Sequence, residues 1–177
     1  MLKKIVVIGP ESTGKSTLCS YLAEHYDTTW CPEYAREYLL ARGTAYSYDD
    51  LLEIAKGQAA LEDKYAREAT EAGASMIFID TDMYVMKVWC EYVFGKCHQF
   101  ILDRIVQQKY DLYFLCDTDI PWTKDSLREY ADLKTRQILF QMYKDLLVNQ
   151  EVPWTLVSGT IDERMVHCIT TIEDTIQ

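Results

Sequence analysis

Apolar positions along this chain follow two patterns, short solid runs and longer stretches repeating every three or four residues. KKIVVIG is a short, β-branched run ended by glycine, which predicts a fully buried strand. KSTLCSYLAEHY follows with helical spacing, placing Leu18, Tyr21 and Leu22 on one face. TTWC reads as a short second strand stopped at Pro32, and EYAREYLLARG as a helix closed by Gly43. YDDLLEIAKGQAALEDKYAREATEAG predicts a long amphipathic helix with Gly57 as its weak point. SMIFIDTD is a third strand, MYVMKVWCEYVFG and CHQFILDRIVQQK are helical, and YDLYFLCD is a fourth strand. TDIPWTKDSLREY is irregular, carries both signs of charge and reads as a loop or lid. TRQILFQMYKDLLVNQ is helical, WTLVSG is a fifth strand, and IDERMVHCITTIEDTIQ is a closing helix.

Strands alternating with helices predict an α/β fold, a parallel sheet with helices on both faces. In such sheets ligands bind beyond the carboxyl ends of the strands. The glycine loop, EYARE, DTD and the DIPW loop each follow a strand, so all four are expected at that edge. No repeat or linker divides the 177 residues, which predicts one domain over 1–177 with a lid at about 118–132. At this length folding buries roughly 70% of the unfolded surface, so neither disulfide nor structural metal is required.

Charge and cysteine usage narrow the function classes. The formal net charge of −10, with no basic stretch to offset it, sets aside nucleic acid and anionic membrane as partners. No apolar run approaches the roughly 20 residues of a membrane helix. The Lys3-Lys4 pair precedes an apolar run too short for a signal peptide and broken by Gly9, so a cytoplasmic location is expected. Cys19, Cys31, Cys90, Cys97, Cys116 and Cys168 form no C-x-x-C pair and are expected to be buried, reduced thiols.

Gly9, Gly14, Lys15 and Ser16 match G-x-x-x-x-G-K-[ST] between a predicted strand and a predicted helix. Glycines let such a loop turn its amides toward phosphate oxygens, and the helix N-terminus adds positive potential. Gly9, Glu11, Ser12, Thr13, Gly14, Lys15, Ser16 and Thr17 are therefore the expected nucleotide-binding set, for ATP with Mg²⁺. Lys15 is expected at the β/γ-phosphates and Ser16 at the metal. MIFID ends on Asp80, the expected companion acid for metal or its water shell, with Asp82 two residues on. Asp82 reads either as a substrate or catalytic group or as the cap of the helix that starts after it.

Three further features bear on the acceptor. Glu33 and Arg36 leave the second strand together, and Glu33 reads as a general base or as a first-turn glutamate favoured by the helix dipole. Lys124, Arg128 and Arg136 are the cations available to neutralise a moving phosphoryl group, with Arg128 foremost and Arg136 assigned to the nucleotide. A solvated helix surface is the competing reading for all three. Tyr34, Tyr84, Trp89 and Trp122 lie near the acids in sequence, although Trp89 with Val85 and Val93 makes a stripe that reads as core. An acceptor carrying phosphate would call for an arginine cluster, and only Arg36 lies near these acids. A neutral or cationic acceptor fits better, since a cation gains from aromatic faces. Rival readings are another nucleoside or small alcohol as acceptor, and a non-enzymatic nucleotide-binding module.

GPESTGKS, EYAREYL, IAKGQ, IFIDTD and the W-x-x-D-x-L-R of the lid occur in order over roughly residues 3 to 165. In this order they resemble the ribosylnicotinamide kinase domain of NadR-type NAD-salvage proteins. The resemblance implies a P-loop kinase fold with a five-stranded parallel sheet of order 2-3-1-4-5. It also implies ATP-dependent phosphorylation of the small-molecule nucleoside nicotinamide riboside to nicotinamide mononucleotide. Carried over, Lys15 and Ser16 hold ATP and Mg²⁺, and Glu33, Arg36, Asp80 and Asp82 form the acceptor side. From the GQ pair Gln58 joins as a substrate contact, and Arg128 is the lid arginine. Tyr34 and Trp122 are expected as substrate contacts from their aromatic character near the acids. His25, His98 and His167 make no HxGH-like motif, so nucleotidyl transfer and repression are not expected of this chain. The sequence leaves the oligomeric state open.

Overall fold

The computed structural model describes residues 1–176. Five strands, β1 (Lys3–Ile8), β2 (Trp30–Cys31), β3 (Met76–Asp80), β4 (Leu112–Cys116) and β5 (Trp154–Val157), form one parallel sheet. Its order is β2-β3-β1-β4-β5. Ile5, Val6, Val7 and Ile8 of the central strand are all fully buried, as expected where helices cover both faces of a parallel sheet.

One face packs on α1 (Lys15–His25) and α7 (Ile161–Thr175), where Ile5, Val7, Phe78 and Phe114 meet Leu18, Leu22, Cys168 and Ile172. On the other face, Val6, Ile8, Ile79 and Leu115 meet α4 (Met83–Phe94) and α6 (Leu133–Val148) through Val85, Val88, Leu139 and Leu147. A third cluster joins α2 (Tyr34–Arg42), α3 (Tyr48–Glu71), α4 and α5 (Gln99–Gln107) around Leu51, Ile54, Met86 and Ile101. Helix starts are fixed by side chains: Ser47 and Asp50 form a capping box on α3, and Thr160 and Glu163 form one on α7.

Several expectations shift. Tyr21 is exposed and does not share the buried face of Leu18 and Leu22. The second strand shrinks to Trp30–Cys31, paired only with Phe78 and Ile79 before Pro32 ends it. α6 starts at Leu133 because the Asp132 carboxylate caps it by accepting from the Thr135 amide. Gly57 is no break in α3. A Cβ there would stand 2.0 Å from Cε1 of Tyr34, so the glycine admits that ring. Residues between β4 and α6 form an irregular lid with neither helix nor strand. The final residue of the predicted closing helix lies outside the described residues. All six cysteines are free thiols, and all but Cys97 are buried. Among the described residues no helix is long and apolar enough to cross a membrane.

Candidate active site

The loop between β1 and α1 is shaped by backbone that only glycine tolerates well. Gly9 has φ 147, and a Cβ on it would come within 2.8 Å of the Cys116 carbonyl oxygen. Gly14 has φ 79 and stands at the N-cap of α1 without a capping side chain, which leaves the first helical amides for an anion. The Thr13 hydroxyl donates to the Pro10 carbonyl at 2.7 Å, and Lys15 Nζ folds back to the same oxygen at 3.0 Å. Register brings the companion acid alongside, with Asp80 opposite Val7. Ser16 Oγ donates to Asp80 Oδ2 at 2.5 Å. A hydroxyl and a carboxylate at that spacing suit Mg²⁺, a hard ion that takes few protein ligands and shares the rest with phosphates and water. Among the described residues no cluster of three or more His, Cys, Asp or Glu stands ready to hold a metal alone.

From this loop a cleft of about 470 Å³ runs toward α2 and α4, lined by Lys15, Ser16, Asp80, Glu33, Trp89 and Arg128 among others. Glu33 occupies the N-cap position of α2, yet its carboxylate makes no bond to that helix and faces the cleft. Burial raises its carboxyl above the ordinary range, the nearby Asp80 charge adds to this, and Lys15 and Arg36 oppose it. Asp80 is likewise raised by burial, opposed by Lys15 and the Ser16 hydroxyl. Trp89 lines the wall of this cleft and also packs against the third core cluster, while Val93 of its expected stripe is exposed. Its indole N–H donates to the Tyr46 hydroxyl at 2.8 Å. Arg36 reaches across to Asp125 of the lid at 2.8 Å.

Comparison with known proteins accords with this loop and sheet. A family profile described as an AAA domain matches residues 4–164. The chain belongs to this AAA-domain family. Among curated proteins it is similar to the trifunctional NAD biosynthesis/regulator protein NadR of Salmonella typhimurium, at 28% identity over 98% of this chain and 42% of that protein. It thus spans less than half the length of that relative. Among solved structures, NadR in complex with NR superposes with a TM-score of 0.80 at 20% identity, covering 99% of this chain and 50% of that one. Thymidylate kinase from Ehrlichia chaffeensis superposes with a TM-score of 0.69 at 17% identity, covering 96% of this chain and 98% of that one. The fold is that of the P-loop kinases.

Within this AAA-type domain several expected site residues serve other ends. Asp82 is 1% exposed and turned away from the cleft. Its Oδ1 accepts the Tyr84 and Val85 amides, capping α4, and its Oδ2 accepts the Tyr113 hydroxyl at 2.7 Å. Of its two readings the structure supports the cap. Gln58 is buried behind the cleft: its Oε1 accepts the Tyr34 amide, and its Nε2 donates to the Thr81 and Pro32 carbonyls. It ties α2 to the ends of β2 and β3 and does not line the cleft. The Tyr34 ring lies on Gly57, and neither Tyr34 nor Trp122 lines the cleft.

Glu11, expected at the nucleotide, lines the cleft and also docks the lid. Its carboxylate accepts Trp122 Nε1 at 2.9 Å and the Glu129 and Tyr130 amides at 2.9 and 2.7 Å. Ser12 Oγ accepts the Thr123 amide, and buried Arg136 donates to the Ser12 and Ile120 carbonyls. Arg136 therefore braces loop against lid. Thr17 lines the cleft at its loop end.

Sequence reasoning missed Arg164, which is 1% exposed. Its Nη1 donates to the Thr13 carbonyl and its Nε to the Gly159 carbonyl, both at 2.9 Å, while Nη2 pairs with Asp119. It anchors the phosphate loop from behind. The available signal was a cation in the first turns of a helix, where the dipole disfavours it.

Proposed function

We propose that this chain transfers the γ-phosphoryl group of ATP to the ribose hydroxyl of nicotinamide riboside, giving nicotinamide mononucleotide. The observation that carries this reading is a single cleft in which Lys15 and Ser16 meet the acids Glu33 and Asp80 beside the indole of Trp89. Nicotinamide riboside is a pyridinium, and carboxylates with aromatic faces favour a positive ring. The resemblance of the lid and the EYARE and DTD segments, together with a structural neighbour bound to NR, supports the same acceptor.

Each residue has a task in that reaction. Ser16 and Asp80 would hold Mg²⁺, which supplies charge neutralisation at the phosphate oxygens. Lys15 binds the β/γ-phosphates, and Arg128 offsets the charge on the transferring group. Glu33 accepts the hydroxyl proton as the new oxygen–phosphorus bond forms and the bond to the departing ADP breaks. Its raised carboxyl makes it a better proton acceptor than an ordinary surface glutamate. Arg36 borders the acceptor end and ties it to the lid through Asp125.

Product analysis tests this. With ATP and Mg²⁺ the chain should form the monophosphate of nicotinamide riboside and phosphorylate uncharged nucleosides more slowly. Lys15→Ala should cut turnover by about two to three orders of magnitude, as for loss of one preorganised stabilising group. Phosphate gained mainly by a neutral nucleoside or simple alcohol would replace the acceptor and keep the kinase. ATP turnover with no phosphorylated product would instead favour a nucleotide-binding module.

A further inference from the structure

Two pins hold the lid arginine from the acceptor side of the cleft. Before Arg128, the Asp125 carboxylate pairs with Arg36 at 2.8 Å and also accepts the Leu127 amide at 3.0 Å. After it, Glu129 Oε2 accepts the Tyr46 hydroxyl at 3.0 Å, while the Glu129 amide donates to Glu11 of the phosphate loop at 2.9 Å. Tyr46 comes from the turn between α2 and α3, far from the lid in sequence. Its hydroxyl is also the acceptor for Trp89 Nε1 at 2.8 Å, and the two rings meet edge to face with centroids 4.9 Å apart. A continuous hydrogen-bonded path therefore runs from the Trp89 wall through Tyr46 and Glu129 to Glu11.

We infer that Tyr46 is a positioning residue through which the Trp89 wall of the acceptor cleft fixes Glu129, and so the neighbouring Arg128, over the phosphate loop. The inference rests on the phosphotransfer reading of the cleft. Tyr46 touches no reacting atom. Its hydroxyl is the one group on this path that bonds to both the acceptor wall and the lid. Burial pushes its pKa up to about 12, so the hydroxyl keeps the proton it donates to Glu129. The path thus ends beside Arg128, whose guanidinium itself donates to the Thr123 carbonyl of the lid.

Four proteins test this: wild type, Tyr46→Phe, Arg128→Ala and the double variant, each assayed with ATP, Mg²⁺ and nicotinamide riboside. Tyr46→Phe keeps the ring and loses two hydrogen bonds, the charge-assisted one to Glu129 and the one from Trp89 Nε1, so kcat should fall roughly three- to tenfold, with little change in KM for ATP. In the Arg128→Ala background the same change should cost nothing more, because Tyr46 acts through Arg128. Unchanged kcat, or an equal loss in both backgrounds, overturns the inference. Amide hydrogen exchange provides a readout that needs no acceptor. The Glu129 and Tyr130 amides should exchange faster in Tyr46→Phe while α3 keeps its protection, and unchanged exchange counts against the inference. If wild type phosphorylates no nucleoside, the functional reading falls, and the exchange result alone decides the role of Tyr46.

Discussion

Gly57→Ala sets local helix propensity against packing, and the two predict opposite signs. Gly57 lies inside α3, where alanine in place of glycine ordinarily gains about 1 kcal/mol. Here the new Cβ would sit 2.0, 2.3 and 2.5 Å from Cε1, Cδ1 and Cζ of Tyr34. Ordinary carbon contacts lie at about 3.5–4.0 Å, so the ring must retreat by roughly 1.5 Å. Its freedom to do so is small, because the Tyr34 amide is bonded at 2.7 Å to Gln58, the residue beside Gly57. Overpacking of this kind costs about 1–3 kcal/mol, or more where the backbone must shift. With the ring tethered the cost falls in the upper part of that range, and subtracting the propensity gain leaves a net loss of about 1–2 kcal/mol, read as a lower urea midpoint at unchanged m. Turnover should fall too, since Glu33 immediately precedes the displaced Tyr34. Removing the ring with Tyr34→Ala should restore tolerance of the Gly57→Ala change, giving a coupling above about 0.5 kcal/mol in the double-mutant cycle. A more stable Gly57→Ala protein, or strict additivity, would refute the packing argument.

Other consequences follow from buried polar groups. Burial raises the Asp82 carboxyl from its ordinary 3.8 to about 7, against the lowering effect of the Tyr113 hydroxyl. The folded protein therefore holds a proton that the unfolded chain has released, so the associated stability is full below pH 4 and lost as pH rises toward 7. The loss is about 4 kcal/mol at most. Asp82→Asn should gain on wild type between pH 5 and pH 8 in urea unfolding without nucleotide or metal, and an equal gap at both pH values would contradict this. Arg164→Met should strand the Thr13 carbonyl and the Asp119 charge, costing about 2–3 kcal/mol and weakening ATP binding. Wild-type ATP affinity in that variant would remove Arg164 from the support of the loop.

The sheet was legible because its central strands are solid apolar runs, and the phosphate loop because its glycines and lysine stand at a fixed spacing behind one of them. Glu33 was legible for a similar reason: a residue just past a strand in a parallel sheet must emerge at the binding edge. Asp82 was not. Strand alternation puts residues two apart on one side, which would send Asp80 and Asp82 into the same site. Thr81, however, adopts φ 76, a conformation that β-branched residues rarely take, and this turns Asp82 under α4. Glu11 occupies a variable position of the loop motif, and its partners lie more than a hundred residues away in the lid. No local pattern encodes such a contact. The same holds for Gln58, whose value lies in joining Tyr34, Pro32 and Thr81.

The central claim is that Glu33, facing the cleft, takes the acceptor's proton while Asp82 serves the fold. Turnover of Glu33→Gln and Asp82→Asn on nicotinamide riboside, each confirmed folded at the assay pH, tests it most directly. Glu33→Gln should lose about a hundredfold or more in kcat, the scale of a missing general base, while Asp82→Asn stays close to wild type. An active Glu33→Gln enzyme beside an inactive but folded Asp82→Asn would contradict the account.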